Sequence, residues 1–238
     1  MEIVADTGTG PITDVDVRRL YAWPEAAVTG AATWVRCNMV MSLDGVIAGP
    51  DGQSASIATP IDKQVFLALR RDCDVILVGA GTARTEGYRP AAAPIALVTR
   101  TLDLHLDMPL FAQATDATPR TLVITTDEAA AAAPAWLLDA ADLLPCGASE
   151  VDLPRALAEL RRRGMARVHC EGGPALMTSL IADHVLDELL LTVTPVLIGA
   201  GPRLVHELIG AADAAFTQVL TEDGTLLLRV AFAPAVGS

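Results

Sequence analysis

The residues best suited to chemistry in this chain are Glu171-Gly172-Gly173-Pro174. They follow Arg167-Val168-His169-Cys170, a short apolar run that reads as a buried strand. They precede Ala175-Leu176-Met177-Thr178-Ser179-Leu180-Ile181, which reads as a helix with Pro174 in its first turn. Two glycines between strand and helix let the backbone approach a ligand closely. A helix start offers unpaired N–H groups and the positive end of a dipole, a seat for a pyrophosphate. Glu171, at the lip of the strand, would face whatever lies beside that seat.

Three further segments carry polar groups at strand ends. Val78-Gly79-Ala80-Gly81-Thr82-Ala83-Arg84 follows a continuous apolar strand at 74–79, and Thr82 and Arg84 would face a phosphate or ribose. Its glycines resemble a dinucleotide fingerprint of the G-x-G-x-x-A sort, a weak signal alone. Gly87, Pro90 and Pro94 crowd the gap before the next strand near Ile95, too short for a full crossover helix with its loops, so a loop with a short helical turn is expected. Val98-Thr99-Arg100-Thr101 ends that next strand. An arginine with hydroxyls there suits a ribose 2′-phosphate, and a solvent-exposed strand-end arginine is the plain alternative. Ser42-Leu43-Asp44-Gly45 reads as a tight turn after a strand at 34–41, followed by a polar, glycine-rich loop at 49–56 long enough to act as a flap.

These segments need a scaffold of alternating strands and helices. Thr59-Pro60-Ile61-Asp62 has a capping-box pattern and opens a helix to about Arg71. Arg70 and Arg71 complement its C-terminal dipole and remain available to a ligand. Further strands are expected at 95–99, 120–126, 142–145 and 188–195, with an alanine-rich helix at 128–140 and a helix at 153–163 stopped by Gly164. Phe216–Thr221 and Thr225–Phe232 flank Asp223-Gly224, a hairpin signal. The pattern implies an α/β domain with a mostly parallel sheet, flanking helices and a C-terminal antiparallel hairpin. Residues 1–30, punctuated by Gly8, Gly10, Pro11, Pro24 and Gly30, read as an extension laid on the surface, with a short helix near 14–21. The domain proper then occupies 31–238.

Composition narrows the partners. The 238 residues are 52% hydrophobic and carry a net charge of −12, which argues against a nucleic-acid or anionic-membrane partner. Lys63 is the only lysine, so arginines and helix starts must hold any anion, and Schiff-base chemistry elsewhere is excluded. The N-terminus lacks the pattern of a secretory signal and no apolar run is suited to span a bilayer, so a cytoplasmic location is expected. Cys37, Cys73, Cys146 and Cys170 have no paired spacing, and His105, His169, His184 and His206 show no metal spacing. Reduced core thiols and no metal site are expected.

Taken together, Ser42-Leu43-Asp44-Gly45, Leu69-Arg70, Val78-Gly79-Ala80-Gly81-Thr82, Glu171-Gly172-Gly173-Pro174, Asp187-Glu188-Leu189, Thr194-Pro195 and Gly199-Ala200-Gly201 resemble, in order and spacing, the reductase domain of riboflavin biosynthesis. The resemblance covers about 34–232 and implies the dihydrofolate reductase-like fold. It implies NADPH-dependent reduction of a ribosylamino-pyrimidine phosphate, 5-amino-6-(5-phosphoribosylamino)uracil, to its ribitylamino form. The positions matching cofactor contacts are Val40, Gly79, Gly81, Thr82, Glu86, Arg100 and Thr101, with Gly172, Gly173, Pro174, Ala175 and Leu176. Ser54, Arg70, Arg89 and Glu171 match or neighbour substrate contacts, and Asp44 and Glu171 are the implied catalytic pair. The resemblance also implies a homodimer. The deaminase pattern His-x-Glu with Cys-x-x-Cys does not occur, so a stand-alone reductase is expected. Val46 stands where many members have lysine, Ser56 where an aromatic is common, and Thr85-Glu86-Gly87-Tyr88 replaces Ala-Asp-Asp-Pro. All three departures fall on the substrate side. They leave open dihydrofolate as a substrate, or a nucleotide-binding module without turnover.

Overall fold

A computed structural model describes residues 13–205 and 211–232. The first part of the N-terminal extension, His206 and residues 233–238 lie outside the described residues. Among the described residues, nine strands form one sheet. They are β1 (Trp34–Ser42), β2 (Val75–Gly79), β3 (Ile95–Val98), β4 (Thr121–Thr125), β5 (Ala141–Pro145), β6 (Arg167–Cys170), β7 (Glu188–Thr194), β8 (Ala214–Glu222) and β9 (Thr225–Phe232). Their order is β5-β4-β3-β2-β6-β1-β7-β9-β8. Every pair from β5 to β7 is parallel, and β7–β9 and β9–β8 are antiparallel. The expected α/β fold with its C-terminal hairpin is therefore present.

The helices are α1 (Asp14–Leu20), α2 (Glu25–Val28), α3 (Pro60–Asp72), α4 (Ala80–Thr85), α5 (Pro109–Ala112), α6 (Asp127–Ala131), α7 (Ala135–Ala140), α8 (Leu153–Arg162) and α9 (Pro174–Ala182). The alanine-rich helix expected at 128–140 is two helices. Pro134 has no N–H and cannot continue α6, so it becomes the N-cap of α7. The segment after β2 has the expected form: α4 is a short helix of six residues, and a loop over 86–94 completes the crossover to β3. No helix among the described residues is long and apolar enough to cross a membrane.

The central strands are buried on both faces. Val35, Cys37, Leu77, Val168, Met177 and Leu180 build the core on the α8–α9 side, each at most 1% exposed. On the opposite face α3 packs with Ile61, Val65, Ala68 and Leu69 against Leu190 of β7, Leu220 of β8 and Leu227 of β9. Val17 and Tyr21 belong to that same cluster, so the described part of the N-terminal extension is built into the α3 face. Arg36 and Glu188, both essentially buried, tie it down. Arg36 donates to Glu188 and to the Tyr21 carbonyl, while Trp34 and Arg229 also donate to Glu188. Arg36 stacks 4.2 Å from the Trp23 ring centroid, and Arg229 donates to the Leu20 carbonyl at 3.0 Å. A buried carboxylate persists only when such donors surround it.

Candidate active site

Parallel strands place their C-terminal ends on one edge of the sheet, and the polar segments collect there. β2 and β6 are neighbours, so the two glycine segments meet: the Gly79 N–H donates to the Gly172 carbonyl at 2.8 Å. The Gly172–Gly173 peptide bond is cis, and Gly172 has φ +78, a left-handed value that favours glycine. A Cβ on Gly172 would lie 2.7 Å from Met39 Sδ, and one on Gly173 would lie 2.4 Å from Thr82 Oγ1. Side chains are excluded from this turn by contact as well as by conformation. Gly81 has no such neighbour, so its lack of a side chain meets no steric need of the fold. The turn runs into α9 with Pro174 at its start and Gly173 as N-cap, which offers no side-chain acceptor to the first-turn amides of Ala175 and Leu176. Backbone N–H groups at the end of a nine-residue helix, beside a turn bare of side chains, fit a diphosphate.

Glu171 lies immediately before the turn and is 7% exposed. Arg70 from the end of α3 grips it with a two-pronged contact, Nε to Oε1 and Nη2 to Oε2, both 2.6 Å. The Tyr88 hydroxyl also donates to Oε2, and His169 Nε2 lies 3.4 Å from Oε1. Arg70 in turn sits over the rings of Phe66 and Tyr88, at 4.5 and 5.3 Å. Burial acts to raise the Glu171 pKa, but the Arg70 fork with His169 beside it outweighs burial and holds it at about 2. Burial and the Glu171 charge push the Tyr88 phenol well above its ordinary value. Glu171 is thus an anchor ionised at neutral pH. Tyr88 and His169 were not among the expected site residues. His169 had a readable signal, since strand alternation puts residues i and i+2 on one face. Tyr88 is 83 positions from Glu171 and gave none.

Asp44 is likewise held by the protein. Its Oδ1 accepts from the Ser42 hydroxyl at 2.7 Å and from Ile198 N–H at 3.1 Å, and Oδ2 accepts from Gly199 N–H at 2.7 Å. The Ser42 hydroxyl and these amides lower its pKa to about 2. The flap carries Ser54, whose N–H donates to Glu86 Oε1 at 2.9 Å, so an expected substrate contact and an expected cofactor contact bond to each other. Ser56 closes the flap turn onto Asp51 and Gln53. Val46 is fully buried. Val40 lies in β1 opposite Thr192. Thr82 reaches the glycine turn, and Arg84 pairs with Asp103 at 2.9 Å in the loop after β3. Arg89, Arg100 and Thr101 stand exposed at the rim, with Arg100 3.4 Å from Glu150.

This edge of parallel strands, with a bare glycine turn beside a buried carboxylate, is the architecture of the dihydrofolate reductase-like α/β fold. A dihydrofolate reductase from Enterococcus faecalis superposes over 84% of this chain and 96% of its own (TM-score 0.50, 12% identity). The chain belongs to the family described as the RibD C-terminal domain, which it matches over residues 33–222. A Methanothermobacter thermautotrophicus relative is 29% identical over 175 residues, 70% of this chain and 79% of that protein. It is named 2,5-diamino-6-ribosylamino-4(3H)-pyrimidinone 5′-phosphate reductase. A pyrimidine reductase-like protein from Corynebacterium diphtheriae has the same fold (TM-score 0.78, 21% identity, covering 91% of this chain and 98% of its own). So does a Thermotoga maritima deaminase and 5-amino-6-(5-phosphoribosylamino)uracil reductase (TM-score 0.66, 19% identity, covering 87% and 59%).

Proposed function

We propose that this protein is an NADPH-dependent reductase of a 5-amino-6-(5-phosphoribosylamino)pyrimidine, the uracil form being the one its sequence motifs imply. The observation that carries the reading is the juxtaposition of the Gly172-Gly173 turn and α9 start with the buried Glu171 carboxylate and its partners Arg70 and Tyr88. Family membership and the naming of relatives as reductases of such compounds support it. When bound, the cofactor supplies a hydride, and the acceptor is the ribosyl C1 in its ring-opened imine form, whose nitrogen takes up a proton. Gly79, Gly172, Gly173 and the amides of Ala175 and Leu176 would hold the diphosphate, with Val40, Thr82 and Gly81 alongside. Arg100 and Thr101 at the end of β3 would favour the 2′-phosphorylated cofactor.

Glu171 orients the substrate through fixed charge, because a carboxyl held near pKa 2 gives up no proton at neutral pH. Asp44 holds the loop at 198–199 against the end of β1, so its part in the reaction is to position that loop. Arg89 and the flap residue Ser54 would meet the phosphorylated arm. The chain acts in the cytoplasm as a homodimer. The edge strand β8 with Phe216 at 69% exposure is the surface that favours pairing, and a light-scattering mass of one chain would contradict it. The test of function is to incubate the protein with NADPH and the ribosylamino-pyrimidine phosphate and identify the product by mass. The ribitylamino compound, heavier by two hydrogens, is expected, and unchanged substrate would refute the reading.

A further inference from the structure

Tyr88 reaches the centre of the site because of how α4 ends. Gly87 follows the helix with φ +64, in the left-handed region. Its N–H donates to the Arg84 carbonyl at 3.3 Å, and the Tyr88 N–H donates to the Ala83 carbonyl at 2.9 Å. These are the two bonds that close a helix on a left-handed glycine. A proline at 88 has no N–H and could not make the second. A Cβ on Gly87 would meet no atom within 4 Å, so the glycine serves the backbone turn and not close packing. Gly87 and Tyr88 therefore work as a pair. The turn folds the chain back on the sheet, where Tyr88 packs against the cluster containing Val78, Ala80 and Ala83. Its hydroxyl then donates to Glu171 Oε2. At the other end of α4, Thr82 lies against Gly173. One six-residue helix thus touches Glu171-Gly172-Gly173 from both of its ends.

Glu171 has no acceptor capacity turned to the cleft. Oε1 takes Arg70 Nε and faces His169 Nε2, while Oε2 takes Arg70 Nη2 and the Tyr88 hydroxyl. The Glu171 side chain is buried and the Arg70 side chain keeps some exposure, so Arg70 carries the charge of this group to a substrate. Tyr88 fixes Arg70 in two ways. Its ring and that of Phe66 lie against the guanidinium, and its hydroxyl holds the carboxylate oxygen that Arg70 Nη2 also uses. An arginine held on its faces and along one edge is pre-organised, and pre-organised contacts place a substrate for reaction.

We propose that Tyr88 is a positioning residue for the reduction. Its hydroxyl acts through Glu171 and Arg70 to keep the substrate in line with the hydride donor. The inference rests on the function proposed above and adds to it a residue that acts without touching the reacting atoms.

Tyr88→Phe keeps the ring over Arg70 and removes the donor. The experiment measures kcat and KM with NADPH and 5-amino-6-(5-phosphoribosylamino)uracil or its 2-amino counterpart, 2,5-diamino-6-ribosylamino-4(3H)-pyrimidinone 5′-phosphate, whichever wild type reduces. Wild type, Tyr88→Phe, Glu171→Gln and the double variant are compared, with NADPH affinity measured by calorimetry and folding by thermal melts. Tyr88→Phe is expected to lower kcat by about 10-fold, with NADPH affinity and melting temperature close to wild type. Because Tyr88 acts through Glu171, the double variant should be no slower than Glu171→Gln alone. A further loss of about 10-fold in the double variant would make the two residues independent and overturn the proposal. Wild-type kcat in Tyr88→Phe, or a loss matched by an equal loss of NADPH affinity, also overturns it while leaving the reductase reading standing. No turnover of either compound by wild type overturns both.

Discussion

Arg70 and Glu171, 101 residues apart, form a two-pronged ion pair with both contacts at 2.6 Å, joining the end of α3 to the end of β6. The sequence motifs mark each as a substrate contact, and in the fold each is the other's partner. The pair fixes the wall of the site from two elements at once. Its Arg70 side chain is 25% exposed and its Glu171 side chain 2%. Glu171→Gln is expected to cost about 2–3 kcal/mol of stability, below the value for a fully buried pair because Arg70 keeps some solvent. It should lower kcat/KM by about 100-fold through loss of substrate positioning. Thermal melts and steady-state rates check both, and wild-type turnover in this variant would remove Glu171 from the site. The folded pKa of about 2 lies below the ordinary 4.5. The stabilisation from this group is therefore complete above the ordinary value and is lost as pH falls through about 2.

The glycine turn makes a prediction with its own rescue. Gly173→Ala puts a methyl 2.4 Å from Thr82 Oγ1. The substitution is expected to cost about 1–3 kcal/mol and to weaken NADPH binding at least as much as it weakens folding. Thr82→Ala removes the offending oxygen, so the double variant should recover most of the stability. Strictly additive losses in the double-mutant cycle would show that the close approach is not the cause.

Much of the scaffold is legible in the sequence because it rests on local rules. The apolar runs at 75–79 and 188–194, Pro60 after Thr59, Gly164 at the end of α8 (φ +82) and the Asp223-Gly224 turn all act over a few residues. What is not legible depends on partners distant in sequence. Tyr88 reads as a departure from a motif until Glu171 is beside it. Asp62 reads as a cap until β7 supplies Thr192. Asp44 reads as a free carboxylate until the 198–199 amides occupy it. The break at Pro134 is local, a residue without an N–H set inside an alanine-rich run that otherwise favours helix.

Asp187 gives a pH signature of opposite sign. It accepts from Val35 N–H at 2.6 Å, yet burial raises its pKa from 3.8 to about 6. A raised carboxyl binds its proton more tightly in the folded state, so stability falls as pH rises from about 3.8 through 6. Asp187→Asn keeps an acceptor and removes the charge. The variant is expected to melt higher than wild type at pH 7–8 and to lose the decline between pH 4 and 6. A parallel decline in both proteins would assign the slope to other groups.

Asp44→Ala frees the Ile198 and Gly199 amides and the Ser42 hydroxyl. Amide hydrogen exchange at 198 and 199 should accelerate, with kcat/KM falling about 10- to 100-fold through loss of positioning. Unchanged exchange with lost activity would instead make Asp44 a direct participant in the reaction.

We propose that the glycine turn and the Glu171 group together reduce a ribosylamino-pyrimidine phosphate at the expense of NADPH. The most direct measurement is nicotinamide absorbance on mixing protein, NADPH and that substrate. A fall matching the substrate consumed, absent without substrate and diminished in Glu171→Gln, is the predicted result. Tight NADPH binding with no fall for either the uracil or the 2-amino compound would contradict it.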